Sequence, residues 1–274
     1  MARLLNGSEL VGYIQERQAK QVRALRQAWK TYPKLVILKT PEASTVIDTY
    51  VRMKRAYGED ILIETIVDTV PVHELSGSIA RYNDDPSVHG IIVQLPLDDP
   101  TKTDEIVAQI APAKDVDGLG PQAAFESATA EAINWLVNGY GVDLANKRIA
   151  VVGNGRLVGR PLAAMWRESG YDVTVLDDTT TDIAGVLRES QIIVSATGVP
   201  RLITPAMVPH RAVVIDAGTA SDDGVIVGDV DPAVRERDDV SITPERGGVG
   251  PLTIAALFDH VITAALATVP SDQL

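Results

Sequence analysis

Residues 148–166 read RIAVVGNGRLVGRPLAAMW. The run RIAVV (Arg148–Val152) predicts a buried strand, and Gly153, Gly155 and Gly159 follow it directly and open a helix. Glycines in such a turn let the backbone bend tightly and approach a pyrophosphate, which the free N–H groups of the helix N-terminus then stabilise. The spacing is GxGxxxG, one residue longer than the common dinucleotide fingerprint. A glycine triplet alone is weak evidence. Its weight comes from strand, loop, helix and second strand falling in order.

That second strand, Asp172–Leu176, ends in VLDDT, so Asp177 and Asp178 stand about 24 residues beyond Gly153. An acidic side chain there accepts hydrogen bonds from ribose hydroxyls and repels a 2′-phosphate, which favours NAD over NADP. The plainer alternative is a polar turn, with Asp182 capping the next helix. Further strands are expected at Gln191–Ser195 and Ala212–Ile215, and a helix around Ala123–Val137 precedes the set. Upstream lies a second alternating series. Ser8–Trp29 has helical spacing with Ser8 as its cap, and Lys34–Lys39 (KLVILK), Ile61–Val67 (ILIETIV) and Gly90–Leu95 (GIIVQL) read as strands. Helices about Ala43–Tyr57 and Val72–Tyr82 separate those strands, and the residues after Gly250 read as one last helix. Strands alternating with helices imply right-handed crossovers and parallel sheets, an α/β fold in two domains whose seam is near Gly118–Gly120–Pro121.

The 274 residues, 45% hydrophobic and 23% charged, suffice for two cores. Twenty-five basic against 37 acidic side chains leave a net charge of −12, which disfavours nucleic acid and anionic membrane surfaces as partners. No cysteine is present, which excludes disulfides, thiolate metal sites and cysteine nucleophiles. Four scattered histidines (His73, His89, His210, His260) make no ligand pair, so no metal is expected. No apolar run approaching ~18 residues and no signal-like N-terminus is seen, so the expectation is a cytoplasmic protein.

Four further segments, TYVRMK (Thr49–Lys54), GIIVQLPL (Gly90–Leu97), KDVDG (Lys114–Gly118) and GGVGPLT (Gly247–Thr253), join the glycine loop GNGRLVGRP (Gly153–Pro161) in order along the chain. Together they resemble the bifunctional methylenetetrahydrofolate dehydrogenase/methenyltetrahydrofolate cyclohydrolase family, over nearly the whole chain. The resemblance implies a folate-binding catalytic α/β domain (1–119 plus 251–274, the last helix returning to it), a Rossmann domain (120–250), a cleft between them and a homodimer. It implies oxidation of 5,10-methylenetetrahydrofolate with a nicotinamide cofactor, NAD being favoured here over NADP, and hydrolysis of the methenyl product to 10-formyltetrahydrofolate. By matching motifs, Lys54 is the catalytic lysine, Gln94 its hydrogen-bond partner, and Tyr50 stacks on the pterin and p-aminobenzoyl rings. Asp117 grips the pterin donors, and Gly250 and Pro251 line the folate site. The cofactor falls to Gly153, Asn154, Gly155, Arg156, Leu157, Val158, Asp177, Thr197 and Gly198. The chemistry suits these residue types: hydride transfer needs positioning, and opening the methenyl cation with water needs a group that moves protons.

Each residue also has a plainer reading. Lys54 reads singly as a solvated helix charge, Tyr50 as packing, Gln94 as a strand-end polar group, and Asp115 and Asp117 as turn residues before Gly118. The histidines read as structural or exposed. The chain departs from the family pattern at Lys39 and Thr40 in LKTPEAS, at Ile47 in place of a serine, at SATAEA (Ser127–Ala132) and at Arg246. It departs too at Asn154, Gly155 and Asp177, where NADP-using members carry basic or hydroxyl residues. Two competing readings are an NAD-dependent dehydrogenase of another pterin or small molecule, and a non-catalytic folate- or nucleotide-binding regulator.

Overall fold

In a computed structural model that describes residues 2–41, 45–222 and 225–270, the chain falls into two units. One comprises Met1–Val11 with Thr129–Thr253, the other Gly12–Ala128 with Ile254–Leu274. In chain order the elements are β1 (Arg3–Leu4), α1 (Gly7–Ala28), β2 (Lys34–Lys39), α2 (Thr45–Asp60), β3 (Glu64–Thr69), α3 (Leu75–Asp84), β4 (Gly90–Val93), α4 (Thr103–Val107), α5 (Ala128–Gly139) and β5 (Arg148–Val152). Then come α6 (Gly159–Glu168), β6 (Asp172–Leu176), α7 (Ile183–Glu189), β7 (Ile192–Ser195), β8 (Val213–Asp216), β9 (Ala220–Asp222), β10 (Val225–Val227), α8 (Pro232–Glu236), β11 (Ser241–Ile242) and α9 (Val249–Ala267). Short 3-10 turns fill several of the joints.

In the second unit β2 is the middle strand of a parallel sheet ordered β3-β2-β4. Its core Leu35–Leu38 is wholly buried. Four successive apolar side chains leave no face for water, so such a strand must be covered on both sides. One cover is a cluster in which Val36, Leu38, Ile91 and Val93 pack with Leu75 and Ile79 of α3. Burial of each such side chain is worth about 1.5–3 kcal/mol. In the other unit six strands run parallel in the order β1-β11-β8-β7-β5-β6, and β9 and β10 form a separate antiparallel pair. The order reverses between β6 and β7 around β5, the switch point at which open parallel sheets bind ligands beyond their strand ends.

Three expectations need correction. Ile61–Ile63 are not strand. Leu62 adopts φ 66°, Leu62 N–H donates to Glu59 O (3.1 Å) and Ile63 N–H to Gly58 O (2.8 Å), so the apolar run closes α2 as a Schellman turn before β3 begins. Ser8 is not the cap of α1; the Asn6 side chain accepts its N–H at 3.1 Å and reaches Glu9, so the cap stands two residues earlier. The final helix is long and apolar enough to span a membrane by composition, contrary to the run-length expectation, yet 67% of that window is buried within protein. Residues 42–44, part of the LKTPEAS departure and of the expected Ala43–Tyr57 helix, lie outside the described residues, as do residues 271–274 of the helix expected after Gly250.

Candidate active site

The glycine loop follows β5 at that switch point. Gly153 adopts φ 103°, and a Cβ there would stand 2.5 Å from the Ala196 carbonyl oxygen. At Gly159 a Cβ would press into the Gly153 carbonyl itself, whereas Gly155 faces open space. The outer glycines are therefore required by backbone packing, and the middle one leaves the loop uncovered. Gly159→Ala should lower stability by about 1–3 kcal/mol, seen as a reduced thermal unfolding midpoint. Loops after three parallel strands enclose a hollow of about 290 Å³: Gly155–Val158 after β5, Ala196–Gly198 after β7 and Ala217–Thr219 after β8. Backbone groups and small residues dominate this lining, which suits a phosphate-bearing ligand approached by main chain.

At the end of β6, Asp177 Oδ1 accepts from Thr179 N–H (3.1 Å) and hydroxyl (2.6 Å). Those bonds hold its carboxyl below the usual range, with the Asn154 side chain adding a smaller share. The acidic strand end and the departed loop position thus meet. Asp182 does cap α7, accepting from Gly185 N–H at 2.7 Å, so both parts of the plainer reading also describe real bonds.

The second constellation lies wholly within the other unit. On α2, Tyr50 and Lys54 stand one turn apart on the same face. Lys54 is buried, 8% exposed, and its ammonium donates to Gln94 Oε1 at 2.9 Å. Gln94 Nε2 in turn donates to Leu95 O at 3.1 Å, which fixes the amide so that its oxygen faces the lysine. Burial lowers the Lys54 pKa, and the nearby Asp117 charge opposes that shift. Burial likewise raises Asp117, against the charges of Lys54 and His260. Tyr50 is half-buried and its phenol is pushed up by that burial.

KDVDG is the turn that carries Asp117, and most of it is scaffold. Lys114 donates to three carbonyls at the end of α3, those of Tyr82, Asn83 and Asp85, at 2.7–2.9 Å. Asp115, 1% exposed, accepts the N–H groups of Gly118, Leu119 and Gly120. Gly118 has φ 69°, and a Cβ would strike the Glu126 backbone. The structure therefore absorbs Lys114, Asp115 and Gly118 into holding the loop and leaves Asp117 beside the lysine.

His260, read as structural or exposed, is structural, though its place near Asp117 was not foreseen. It is buried on α9, with Nδ1 2.8 Å from the Val116 carbonyl, and it stacks on Phe125 with ring centres 4.7 Å apart. A carbonyl only accepts, so Nδ1 carries a proton. The interval of well over a hundred residues between His260 and Asp117 hid this neighbour; a polar residue inside an apolar helix was the available signal. At the departures from the family pattern, Ile47 is buried and Thr40 donates its hydroxyl to Asp98 at 2.7 Å. Gly250 and Pro251 open α9 within the unit that holds the glycine loop, while Lys54, Gln94 and Asp117 gather in the other.

Two family models match the chain: the tetrahydrofolate dehydrogenase/cyclohydrolase catalytic domain over residues 5–117, and the NAD(P)-binding domain of the same family over residues 127–269. A bifunctional FolD protein of Methanosphaerula palustris is 41% identical over 229 residues, 79% of this chain and 82% of that one. The crystal structure of the bifunctional FolD dehydrogenase/cyclohydrolase of Campylobacter jejuni is similar at a TM-score of 0.91 and 32% identity, covering 97% of this chain and 99% of that one. The Trypanosoma brucei enzyme, complexed with NADP and an inhibitor, is similar at 0.92 and 30% identity over 98% and 99%.

Proposed function

This chain belongs to the tetrahydrofolate dehydrogenase/cyclohydrolase family, and we propose, from the acidic end of β6, that it prefers NAD, and that it divides its work between the glycine-loop hollow and the Lys54 group described above. It oxidises 5,10-methylenetetrahydrofolate to the methenyl compound and hydrolyses that to 10-formyltetrahydrofolate. The nicotinamide cofactor, when bound, supplies the hydride acceptor. The hollow beyond β5, β7 and β8 fits its phosphates because the glycine loop exposes main chain there.

The observation that carries the chemical reading is the buried Lys54, hydrogen-bonded to Gln94 and within reach of the Asp117 charge. An amine whose pKa is lowered by burial can take and return a proton as water adds to the methenyl carbon. Gln94 aims that amine without adding charge. Asp117 offers a carboxylate to the pterin's N–H donors, and Tyr50, one turn from Lys54, offers a ring face to the flat substrate. Gly250 and Pro251 complete the folate side of the proposal, and a homodimer completes its assembly.

The NAD preference rests on Asp177. A carboxylate at the end of β6, kept ionised by Thr179 and joined by Asn154, favours ribose hydroxyls and opposes a 2′-phosphate. Relatives that take NADP, such as the Trypanosoma brucei enzyme, are the contrast. The test mixes the protein with methylenetetrahydrofolate and either nucleotide, following reduced nicotinamide and acid-quenched methenyl product separately. NAD is expected to exceed NADP in kcat/KM by about tenfold or more. Asn154→Arg with Asp177→Ser should move that ratio toward NADP by a similar factor. A ratio that does not move removes Asp177 from the ribose. Turnover with NADP alone overturns the NAD preference.

A further inference from the structure

Behind the nucleotide hollow lie two buried carboxylates that no motif in the sequence reading singled out. Asp229 is wholly buried, and its Oδ2 accepts three hydrogen bonds: the Ser195 hydroxyl at 2.8 Å, the Thr197 N–H at 2.7 Å and the Thr197 hydroxyl at 2.9 Å. Its Oδ1 has no hydrogen-bond partner among the described residues. That oxygen lies against Gly218, where a Cβ would collide with it. Asp216, at the end of β8, mirrors the arrangement. Its carboxylate accepts from the N–H groups of Gly218, Asp229 and Val230 and pairs with Arg235 at 2.9 Å, and its oxygen fills the space a Cβ on Gly228 would need. Each carboxylate thus seats in the missing side chain of the glycine facing it.

We infer that Asp229 is the positioning residue of the nucleotide hollow, a group that ties two of its three walls together. Thr197 and Gly198 line one wall and Gly218 another, and Asp229 holds the first through hydrogen bonds and the second through contact. The third wall is tied in through Ala196, whose carbonyl packs on Gly153 of the glycine loop. Asp229 touches no ligand itself, since it is sealed beneath the lining. Three donors converging on one oxygen call for a carboxylate, because an amide oxygen of the same shape accepts them less strongly. An amide NH2 turned toward the three donors would meet the Thr197 N–H, which cannot accept, and would need both hydroxyls to reverse their roles; turned toward Gly218 it would stand where Oδ1 has no hydrogen-bond partner among the described residues.

The inference rests on the reading of the hollow as the nucleotide site. The experiment titrates the full-length wild type and Asp229→Asn with NADH and with NADPH, by nicotinamide fluorescence. The same preparations are assayed for hydrolysis of methenyltetrahydrofolate, a step that consumes no nucleotide. Asp229→Asn is expected to weaken nucleotide binding by about tenfold or more, with the KM for nucleotide rising in parallel and a much smaller change in hydrolysis. A general loss of fold lowers both together and would overturn the positioning role. Equal nucleotide affinity in wild type and variant overturns it as well. Wild type that binds neither nucleotide overturns the reading of the hollow, and this inference with it. If Asp229→Asn yields no folded protein, Ser195→Ala carries the test: the buried hydroxyl behind the lining is removed, and nucleotide binding should weaken about threefold. No change there sinks the inference.

Discussion

Lys54→Met abolishes most of the cyclohydrolase activity, a fall of about a hundred- to ten-thousand-fold in kcat, while the dehydrogenase loses far less. That is the result expected if the amine's task is to move a proton, for that is the usual scale of a positioned acid or base. Methionine keeps the unbranched stem and fills the buried space, so packing against α2 is preserved. Hydride transfer asks for orientation rather than for a proton at this position, which is why the two activities should separate. The pH dependence carries the sign. Burial lowers the Lys54 pKa, so the neutral amine becomes available below the ordinary lysine range, and hydrolysis should rise with pH through that lowered value. The charge bookkeeping also predicts the neighbour's response. The Lys54 charge holds Asp117 down against its burial, so its removal lets the Asp117 pKa climb further. Stopped-flow hydrolysis of methenyltetrahydrofolate in wild type and variant reads the rate. Equal losses in both activities would instead assign Lys54 to binding.

How far the sequence could be read follows from the physics of each segment. LVIL, GIIV and RIAVV were legible as strands because unbroken apolar runs of that length must be buried on both faces. Ile61–Ile63 deceived because the same apolar demand is met by a buried turn: Ile61 and Ile63 are covered, and only Leu62 at φ 66° betrays the helix end. β1, β9, β10 and β11 are two or three residues long, too short for any periodicity to register. At the site, the glycine loop declared itself through local spacing. Lys54 and Gln94 were legible only together and through resemblance, since either alone reads as surface polarity or a strand end. His260 was legible as structural but not as a neighbour of Asp117, and Asp216 and Asp229 were not legible. Their partners are brought by the fold from distant positions, and nothing local marks an aspartate that will sit against a glycine on another strand.

Asp117 supports the second large effect. Asp117→Ala is expected to weaken tetrahydrofolate binding by about a hundredfold, because a carboxylate facing N–H donors contributes about 1.5–3 kcal/mol for each charged hydrogen bond and alanine replaces none of it. Asp117→Asn keeps one acceptor and should fall between. The wild type adds a pH signature. Burial raises the Asp117 pKa, so as pH falls through that raised value the carboxylate is protonated, loses its charge and half its accepting capacity, and folate affinity declines. In Asp117→Asn that acid limb should disappear, leaving affinity flat across the same range. The lysine reports the other half of the pair. Asp117 is the charge that opposes the lowering of Lys54, so without it the amine's pKa drops further and the rise of hydrolysis with pH moves to lower pH. Folate binding by isothermal titration and a pH series of hydrolysis at saturating substrate read the two shifts independently. An Asp117→Asn profile that keeps the wild-type lysine limb would mean that the two charges do not sense each other, and the coupled site drawn around Gln94 and His260 would have to be given up.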